Sequence, residues 1–387
     1  MANQNAVIVA AVRTPIGIGK SEKGKLSGIR PDELAAIALD EVVRRAGIEK
    51  GLVEDIVMGC VSPIGEQGFN IGRVAALIAD FPVETCAVSI NRMCGSSEQA
   101  IHFAAQEIMS GTVDVAIGAG VESMSRVPMG SDLAGASIST ELTSRYALVP
   151  QGISAEMMAE KWHISRAEAD AFALESHSRA AAATQEGRFA EEIVPVEVRL
   201  PDGTVEIMST DQGIRPTTTP EQLANLKLAF KPDGIVTAGN SSQISDGAAA
   251  VLLMSEAKAR ELGIKPLARI VAMATAGVDP VLMLSGPIPA TKKALQKAGL
   301  TMDDIDLVEI NEAFASVPLA WSRELDPDMS RVNVNGGAIA LGHPLGASGA
   351  RLMTTLVHEL QRRGGRYGLQ TMCIGHGMAT ATIIERL

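Results

Sequence analysis

Arg45-Ala46-Gly47-Ile48 ends a predicted helix in the first part of the chain, and Lys297-Ala298-Gly299-Leu300 repeats that ending much later. In both places an Asp-Ile pair follows within a few residues, Asp55-Ile56 and Asp304-Ile305, and opens an apolar run. Glycine is common directly after a helix because it adopts the left-handed backbone at little cost. The repeated order of helix, glycine and strand predicts an α/β fold with two similar βαβ-rich halves.

Short apolar runs and amphipathic segments alternate around these two endings. The apolar runs predict strands at 6–12, 56–59, 87–90, 113–118, 268–272, 307–310, 331–334 and 369–374. Helical spacing predicts helices at 32–46, 96–110, 166–186, 290–298 and 346–363.

The pattern loosens between the halves, where Pro, Met, Ser and Thr are frequent. We interpret this stretch, 121–245, as a large loop domain inserted in the first half and covering a binding site. The first half then consists of 1–120 and 246–267, and the second half of 268–387.

Composition excludes several classes of protein. The net charge is −11 and no basic run occurs, so nucleic acid is not an expected partner. No segment is apolar for long enough to predict a membrane span or a secretory signal. None of the four cysteines forms a CxxC pair, so no metal site is predicted, and a reducing cytoplasm is the expected location.

The stretch Ser89-Ile90-Asn91-Arg92-Met93-Cys94-Gly95-Ser96-Ser97 runs from a strand into a helix. Cys94 therefore lies at a helix N-terminus, where free N–H groups and the helix dipole are expected to lower the pKa of the thiol. A buried core cysteine is the other interpretation of this motif. We assign that interpretation to Cys60 and Cys86, which lie in apolar surroundings.

Three further motifs present polar groups at strand ends and in glycine-rich turns. Asn333-Val334-Asn335-Gly336-Gly337-Ala338-Ile339-Ala340-Leu341-Gly342-His343-Pro344-Leu345-Gly346 presents a histidine before a helix, at the position that Cys94 has in the first half. Met372-Cys373-Ile374-Gly375-His376-Gly377 leaves backbone N–H groups accessible to an oxyanion. Asn311-Glu312-Ala313-Phe314 follows a strand. Each motif alone also fits a structural interpretation: a satisfied histidine, a buried cysteine, or a strand-end cap.

Together, these four motifs resemble the thiolase family over the whole chain, in its order and spacing. The resemblance implies a layered α-β-α-β-α fold and thiolytic cleavage of 3-ketoacyl-CoA by CoA to acetyl-CoA and a shortened acyl-CoA. It implies Cys94 as the nucleophile that carries the acyl thioester and His343 as its base. Cys373 would exchange protons with the acetyl α-carbon and with CoA. Asn311, through a water, and the N–H of Gly375 would help to hold oxyanions.

The same resemblance implies a CoA site at Arg215 and Ser242, with CoA as a co-substrate and no metal or redox cofactor. For Arg215, a solvated surface charge is the alternative. Family members also suggest a homodimer or homotetramer and a hydratase/dehydrogenase subunit as a possible partner.

This chain departs from the pattern of short-chain acetoacetyl-CoA thiolases at four places: Pro150-Gln151-Gly152, the Ser-Ser that follows Cys94-Gly95, Met283-Leu284 and His376. These departures favour a degradative enzyme for acyl chains longer than acetoacetyl. We interpret His376 as packing beside the site, with tuning of Cys373 as the alternative.

Three other functions fit parts of the pattern. One is an acetoacetyl-CoA thiolase that works in the condensing direction. Another is a decarboxylating condensing enzyme, against which the Cys373 motif argues. The third, of a different class, is a non-catalytic CoA- or lipid-binding protein, which the presence of both Cys94 and His343 disfavours.

Overall fold

The computed structural model describes residues 4–200 and 203–387. Its strands lie in both halves of the chain. They are β1 (Ala6–Arg13), β2 (Gly17–Ile18), β3 (Asp55–Gly59), β4 (Cys86–Ile90), β5 (Val115–Ser123), β6 (Val196–Arg199), β7 (Val205–Met208), β8 (Ser245–Ser255), β9 (Ala268–Gly277), β10 (Leu307–Ile310), β11 (Tyr367–Ile374) and β12 (Met378–Arg386).

The helices alternate with these strands. They are α1 (Pro31–Ala46), α2 (Ile71–Ile78), α3 (Ser96–Ser110), α4 (Thr140–Arg145), α5 (Gln151–Lys161), α6 (Arg166–Gln185), α7 (Pro220–Ala224), α8 (Glu256–Glu261), α9 (Pro287–Ala298), α10 (Ser316–Leu325), α11 (Ala338–Leu341) and α12 (Ser348–Arg363). In the described ranges, no helix is both long enough and apolar enough to cross a membrane.

The central sheet has the strand order β10-β11-β12-β9-β1-β8-β5-β3-β4. The two sides of the sheet repeat one pairing pattern, read inward to the β1–β9 contact: parallel, antiparallel, antiparallel. This holds for β3-β5-β8-β1 on one side and for β10-β11-β12-β9 on the other. β1 and β9 meet only at Val7–Arg269 and Ile8–Ala268. The prediction of two similar βαβ-rich halves is confirmed.

Helices α3 and α12 pack against each other between the two half-sheets. Their buried side chains, among them Ile101 and Ala104 of α3 and Met353 and Leu356 of α12, share one hydrophobic core. α1 covers the outer face of the first half and α9 that of the second. Each large apolar side chain buried in these interfaces stabilises the fold by about 1.5–3 kcal/mol. The layers are α-β-α-β-α, as predicted.

The two glycines of the repeated helix ending close their helices as expected. Gly47 follows α1 with φ 68° and Gly299 follows α9 with φ 67°, and the N–H of each is bonded to the last helical carbonyls. The helix predicted at 96–110 is α3, and the strand predicted at 307–310 is β10.

The strand predicted at 331–334 is wrong. Only one bridge, Val308–Val332, forms there. Asn333 adopts a left-handed backbone (φ 45°), which ends the extended chain. The Asn333 side chain makes the hydrogen bonds to β10 that the backbone of a neighbouring strand would make. Oδ1 accepts from the N–H of Ile310 and Nδ2 donates to the Ile310 carbonyl, both at 2.8 Å.

Between β5 and β8 the chain forms four helices, α4 to α7, and the β6–β7 hairpin. The predicted division into 1–120 with 246–267, 121–245 and 268–387 stays a prediction. At the far edge of the sheet, Cys86 of β4 is exposed, so its assignment as a buried cysteine is wrong, whereas Cys60 is buried as predicted.

Candidate active site

Cys94 lies in a tight turn between β4 and α3. The hydroxyl of Ser96 accepts a hydrogen bond from the N–H of Arg92 at 2.9 Å and donates one to the carbonyl of Met93 at 2.6 Å. Met93 has a left-handed backbone with φ 45°. This turn directs the chain from the strand end into the helix and leaves Cys94 just before the first turn of α3.

The thiol of Cys94 is buried, with 6% of the residue exposed. Burial raises the pKa of this thiol to about 11, although the backbone N–H groups of Gly375 and of Cys94 itself lower it. The prediction that the helix N-terminus lowers the pKa of Cys94 is therefore wrong for the resting site. The cost of desolvating the thiolate is larger than the stabilisation that these N–H groups give it. A neighbouring base has to remove the proton.

His343 is held by a loop that only glycine permits. Gly342 has φ 112°, and a Cβ at that position would lie 2.3 Å from Oγ of Ser245. The backbone N–H of His343 donates to the carbonyl of Gln243 at 3.0 Å and to Oγ of Ser245 at 3.2 Å. Both contacts join the histidine loop to the approach of β8.

The hydrogen bonds of the His343 ring define its tautomer. Nδ1 lies 2.5 Å from Oγ of Ser348, and that hydroxyl donates its own proton to the carbonyl of Pro344 at 2.8 Å. Ser348 must then accept from Nδ1–H, which leaves Nε2 unprotonated. Burial, with a smaller contribution from Arg351, lowers the pKa of His343 to about 3. The imidazole is a neutral base at Nε2.

Asn311 lies directly after β10, and its N–H donates to the carbonyl of Thr371 at 3.1 Å. Nδ2 of Asn311 is 3.3 Å from Nε2 of His343. Among the described residues, nothing donates to Oδ1 of Asn311, which is buried. The amide is thus placed beside the unprotonated Nε2 of the imidazole.

Cys373, at the end of β11, is 1% exposed. Burial raises the pKa of its thiol far above the ordinary value, and the nearby Cys94 raises it further. That electrostatic effect requires the two sulfurs to be close. Ionisation of Cys94 therefore makes ionisation of Cys373 less favourable.

One cavity of about 210 Å³ is lined by Cys94, His343, Cys373, Gly375 and Ser242. The structure thus brings five of the seven predicted site residues to one space, and Asn311 touches His343.

Arg215 does not line that space. Its side chain is exposed, and its backbone N–H donates to Nδ1 of His177 at 3.2 Å.

A second cavity, of about 450 Å³, shares five lining residues with the first: Cys94, Met129, Gln151, Leu345 and Gly375. Its remaining walls are mainly apolar: Val61, Met93, Leu133, Ile138, Leu148, Val149, Pro150 and Met283. His376 lies at its rim and is exposed, with φ 61°. His376 therefore lies beside the site, as interpreted, but its side chain is exposed rather than packed.

Two residues of the site were not identified from the sequence. One is Ser348. The other is Glu122, whose buried carboxylate accepts from the N–H groups of Val61 at 2.9 Å, Ser62 at 3.2 Å and Gly346 at 2.8 Å, and from Nε2 of Gln67 at 2.8 Å. Glu122 lies near the end of the apolar run of β5, and a single carboxylate there gives no readable signal.

Within the described ranges, no group of three or more His, Cys, Asp or Glu side chains could hold a metal ion.

Two family models together match nearly the whole chain. Residues 6–257 match the family model for the thiolase N-terminal domain, and residues 264–386 match that for the thiolase C-terminal domain. A 3-ketoacyl-CoA thiolase of Bacillus subtilis is 46% identical over 390 residues, with 99% of each chain covered.

Two solved structures cover 100% of this chain and are themselves covered completely. The acetyl-CoA acetyltransferase of Bacillus anthracis superposes with a TM-score of 0.92 at 42% identity. The human mitochondrial 3-ketoacyl-CoA thiolase superposes with a TM-score of 0.90 at 41% identity.

Proposed function

The chain belongs to the thiolase family, and from that premise we propose that it is an acetyl-CoA C-acyltransferase that cleaves 3-ketoacyl-CoA with CoA in β-oxidation. The products are acetyl-CoA and an acyl-CoA shortened by the acetyl unit. The observation that carries this proposal is the meeting of two thiols, a neutral imidazole and the Gly375 N–H at one cavity.

In the first half-reaction, Nε2 of His343 takes the proton of Cys94, and the thiolate attacks the 3-keto carbon of the substrate. The N–H groups of Gly375 and Cys94 stabilise the oxyanion that forms, a contribution of about 3 kcal/mol per donor. The bond between C2 and C3 then breaks, and its electron pair becomes the enolate of acetyl-CoA. Cys373 protonates that enolate at C2, and Asn311 and His343 hold its oxygen.

In the second half-reaction, the Cys373 thiolate takes the proton of the incoming CoA thiol. The CoA thiolate attacks the thioester on Cys94 and expels the Cys94 thiolate. That thiolate recovers its proton from the His343 imidazolium. The protons balance over the cycle, and CoA is a co-substrate rather than a resident cofactor. Ser242 contacts the entering CoA arm in this scheme, and Arg215 acts at its nucleotide end.

Acyl groups longer than acetoacetyl are supported by the second cavity. The acyl group stays on Cys94 while acetyl-CoA leaves and CoA enters, so it needs a space separate from the CoA path. The 450 Å³ cavity is lined by Cys94 but not by Ser242, and its walls are mainly apolar. Each methylene buried there adds about 0.8 kcal/mol, or about fourfold in kcat/KM.

The test is thiolysis by the purified protein across a series of 3-ketoacyl-CoA chain lengths. We expect acetyl-CoA to form, and kcat/KM to rise from acetoacetyl-CoA to longer chains. Leu133→Trp, which fills the second cavity, should reduce kcat/KM for long chains and spare acetoacetyl-CoA. The control is Ile207→Trp, at an exposed apolar position of β7 outside that cavity.

Activity restricted to acetoacetyl-CoA would instead favour the short-chain enzyme. Absence of thiolysis with every chain length would overturn the proposed function.

A homodimer or homotetramer built on the free edge of β4 is the assembly that we propose. β4 pairs with β3 alone, so its outer edge offers unpaired backbone groups. Exposed apolar residues surround that edge: Leu77 (48%), Ile78 (48%), Val83 (72%) and Val88 (44%). A second copy related by a twofold axis would cover the same patch on both chains.

Light scattering should give a multiple of the chain mass, and Val88→Lys should give the monomer. The control, Val205→Lys, alters an exposed valine of the β6–β7 hairpin and should keep the assembly. A monomeric wild type would refute this interface. Cytoplasmic location and a hydratase/dehydrogenase partner also belong to the proposal, and cell fractionation with co-purification tests both.

A further inference from the structure

A buried carboxylate that the proposed reaction does not use lies one turn beyond the nucleophile. Glu98, in the first turn of α3, has no exposed surface. Oε2 accepts from Oγ1 of Thr380 and Oε1 accepts from Oγ1 of Thr382, both at 2.7 Å. Among the described residues, the one basic group within salt-bridge distance is His102, whose Nε2 lies 3.9 Å from Oε1. An ionised carboxylate with so few partners is costly to bury.

Thr382 links the carboxyl group to the imidazole. Its Oγ1 also lies 2.7 Å from Nε2 of His102. The hydroxyl has one proton, so when it donates to Glu98 it must accept from His102. Gln370 also interacts with Glu98, and this hydrogen bond favours the ionised carboxylate.

The charges around the pair favour the form in which both groups are neutral. Burial raises the pKa of Glu98 to about 7, against the opposing effect of its hydrogen bonds. Burial, then Arg92 in the turn before α3 and Lys297 of α9, lower the pKa of His102 to about 3. The groups that face Glu98 from the strands are the uncharged Thr380, Thr382 and Gln370. Below about pH 7, Glu98 therefore carries a proton and His102 is neutral.

The network joins the elements that carry the two reactive sulfurs. Thr380 and Thr382 are on β12, and β12 pairs along its length with β11, which ends in Cys373-Ile374. The turn before α3 packs directly on that end, since a Cβ on Gly95 would lie 2.2 Å from Cδ1 of Ile374. Movement of α3 relative to β12 would change the distance from the Cys94 sulfur to the Gly375 N–H.

We propose that Glu98 is a positioning residue: with Thr380, Thr382 and His102, it clamps the Cys94 turn of α3 onto the strands that carry Cys373 and Gly375. The clamp holds best while the Glu98–His102 pair retains its proton. Ionisation of Glu98 adds an uncompensated buried charge one turn from a cysteine that must become a thiolate. The proposal relies on the proposed function only for its kinetic readout.

Three variants separate positioning from simple packing. Glu98→Gln keeps the shape and one acceptor oxygen, and it replaces the other oxygen with an amide N–H that can donate to a threonine hydroxyl and does not titrate. Near neutral pH its kcat should therefore stay within about threefold of wild type. Glu98→Leu removes the clamp, and kcat should fall by about 10- to 100-fold with little change in KM, as expected for a small displacement of a nucleophile. Thr382→Val, which removes one bond and the link to His102, serves if Glu98→Leu does not fold.

The decisive readout is the ratio of wild-type to Glu98→Gln kcat/KM as a function of pH, because ionisations common to both proteins cancel in it. The ratio should fall as pH rises through about 7. The matched control is Glu107→Gln on the same helix, since burial also raises the pKa of Glu107 to about 7 and the residue lies far from Cys94. Its ratio should stay constant.

The alkylation rate of Cys94 by iodoacetamide gives the same comparison without substrate. If the wild type does not catalyse thiolysis, the proposed function fails, and alkylation still tests the clamp. The proposal would be overturned if the wild-type to Glu98→Gln ratio did not depend on pH in either assay, thiolysis or alkylation. Wild-type rates in both Glu98→Leu and Thr382→Val would also overturn it.

Discussion

Ser348→Ala removes the acceptor that orients the His343 imidazole. In the native site, Nδ1–H donates to Oγ of Ser348 at 2.5 Å, and that oxygen is held by the carbonyl of Pro344. Alanine leaves Nδ1–H without this acceptor in a buried pocket, and the proton is then free to move to Nε2. A ring protonated at Nε2 cannot accept the proton of Cys94.

The magnitude follows from the charge that develops on the ring. His343 becomes imidazolium as Cys94 attacks, and a hydrogen bond to a charged group is worth about 1.5–3 kcal/mol. At about 1.36 kcal/mol for each factor of ten, kcat/KM should fall by about 10- to 150-fold. Because the charge is absent in the ground state, most of the loss should appear in kcat and little in KM.

The assay is steady-state thiolysis of a 3-ketoacyl-CoA with saturating CoA. Thr354→Ala is the matched control, because it removes another buried hydroxyl of α12, one that donates to the Ala350 carbonyl at 2.8 Å and does not touch the ring. In denaturant titrations, the unfolding free energy of both variants should be lower than that of wild type by about 1 kcal/mol. A Ser348→Ala enzyme with kcat/KM within about threefold of the control would refute the assignment of the tautomer.

Further predictions concern the packing and the charge of the site. Gly95→Ala brings a Cβ within 2.2 Å of Ile374, so the unfolding free energy should fall by about 1–3 kcal/mol and most of the activity should be lost. Gly277→Ala is the control: its Cβ would have nothing within 4 Å, so neither stability nor activity should change. Glu122→Gln should lower the unfolding free energy by about 1.5–3 kcal/mol in denaturant titrations, because an amide cannot accept the same four N–H groups; unchanged stability would contradict this. Alkylation of Cys94 should accelerate about tenfold per pH unit above neutrality, since the thiolate is the reactive form, and a plateau well below about pH 11 would disprove the raised pKa.

The elements that the sequence predicted well have both a clear period and a terminal signal. α3 and α1 end at glycines with left-handed backbones, and β10 is an apolar run bounded by polar residues. β8 and β12 were not predicted. β8 is an alanine-rich run buried on both faces, and such a run does not distinguish a strand from a buried helix.

The contacts of the site join residues that are far apart in the chain, and short sequence motifs do not show such contacts. The four motifs indicated Cys94 and His343, and the fold brings them to one cavity although far apart in the chain. The raised pKa of the Cys94 thiol results from burial by distant segments, which a helix N-terminus alone cannot report. Glu122 acts through three backbone N–H groups, and backbone groups carry no sequence signature.

The acyl-enzyme tests the central claim most directly. The protein is incubated with an acyl-CoA in the absence of free CoA, then digested, and its peptides are examined by mass spectrometry. We predict one acyl group in thioester linkage on Cys94, released by added CoA and absent from Cys94→Ala but present in Cys86→Ala. Acylation of Cys373 or another residue in place of Cys94, or full thiolysis by Cys94→Ala, would contradict the account.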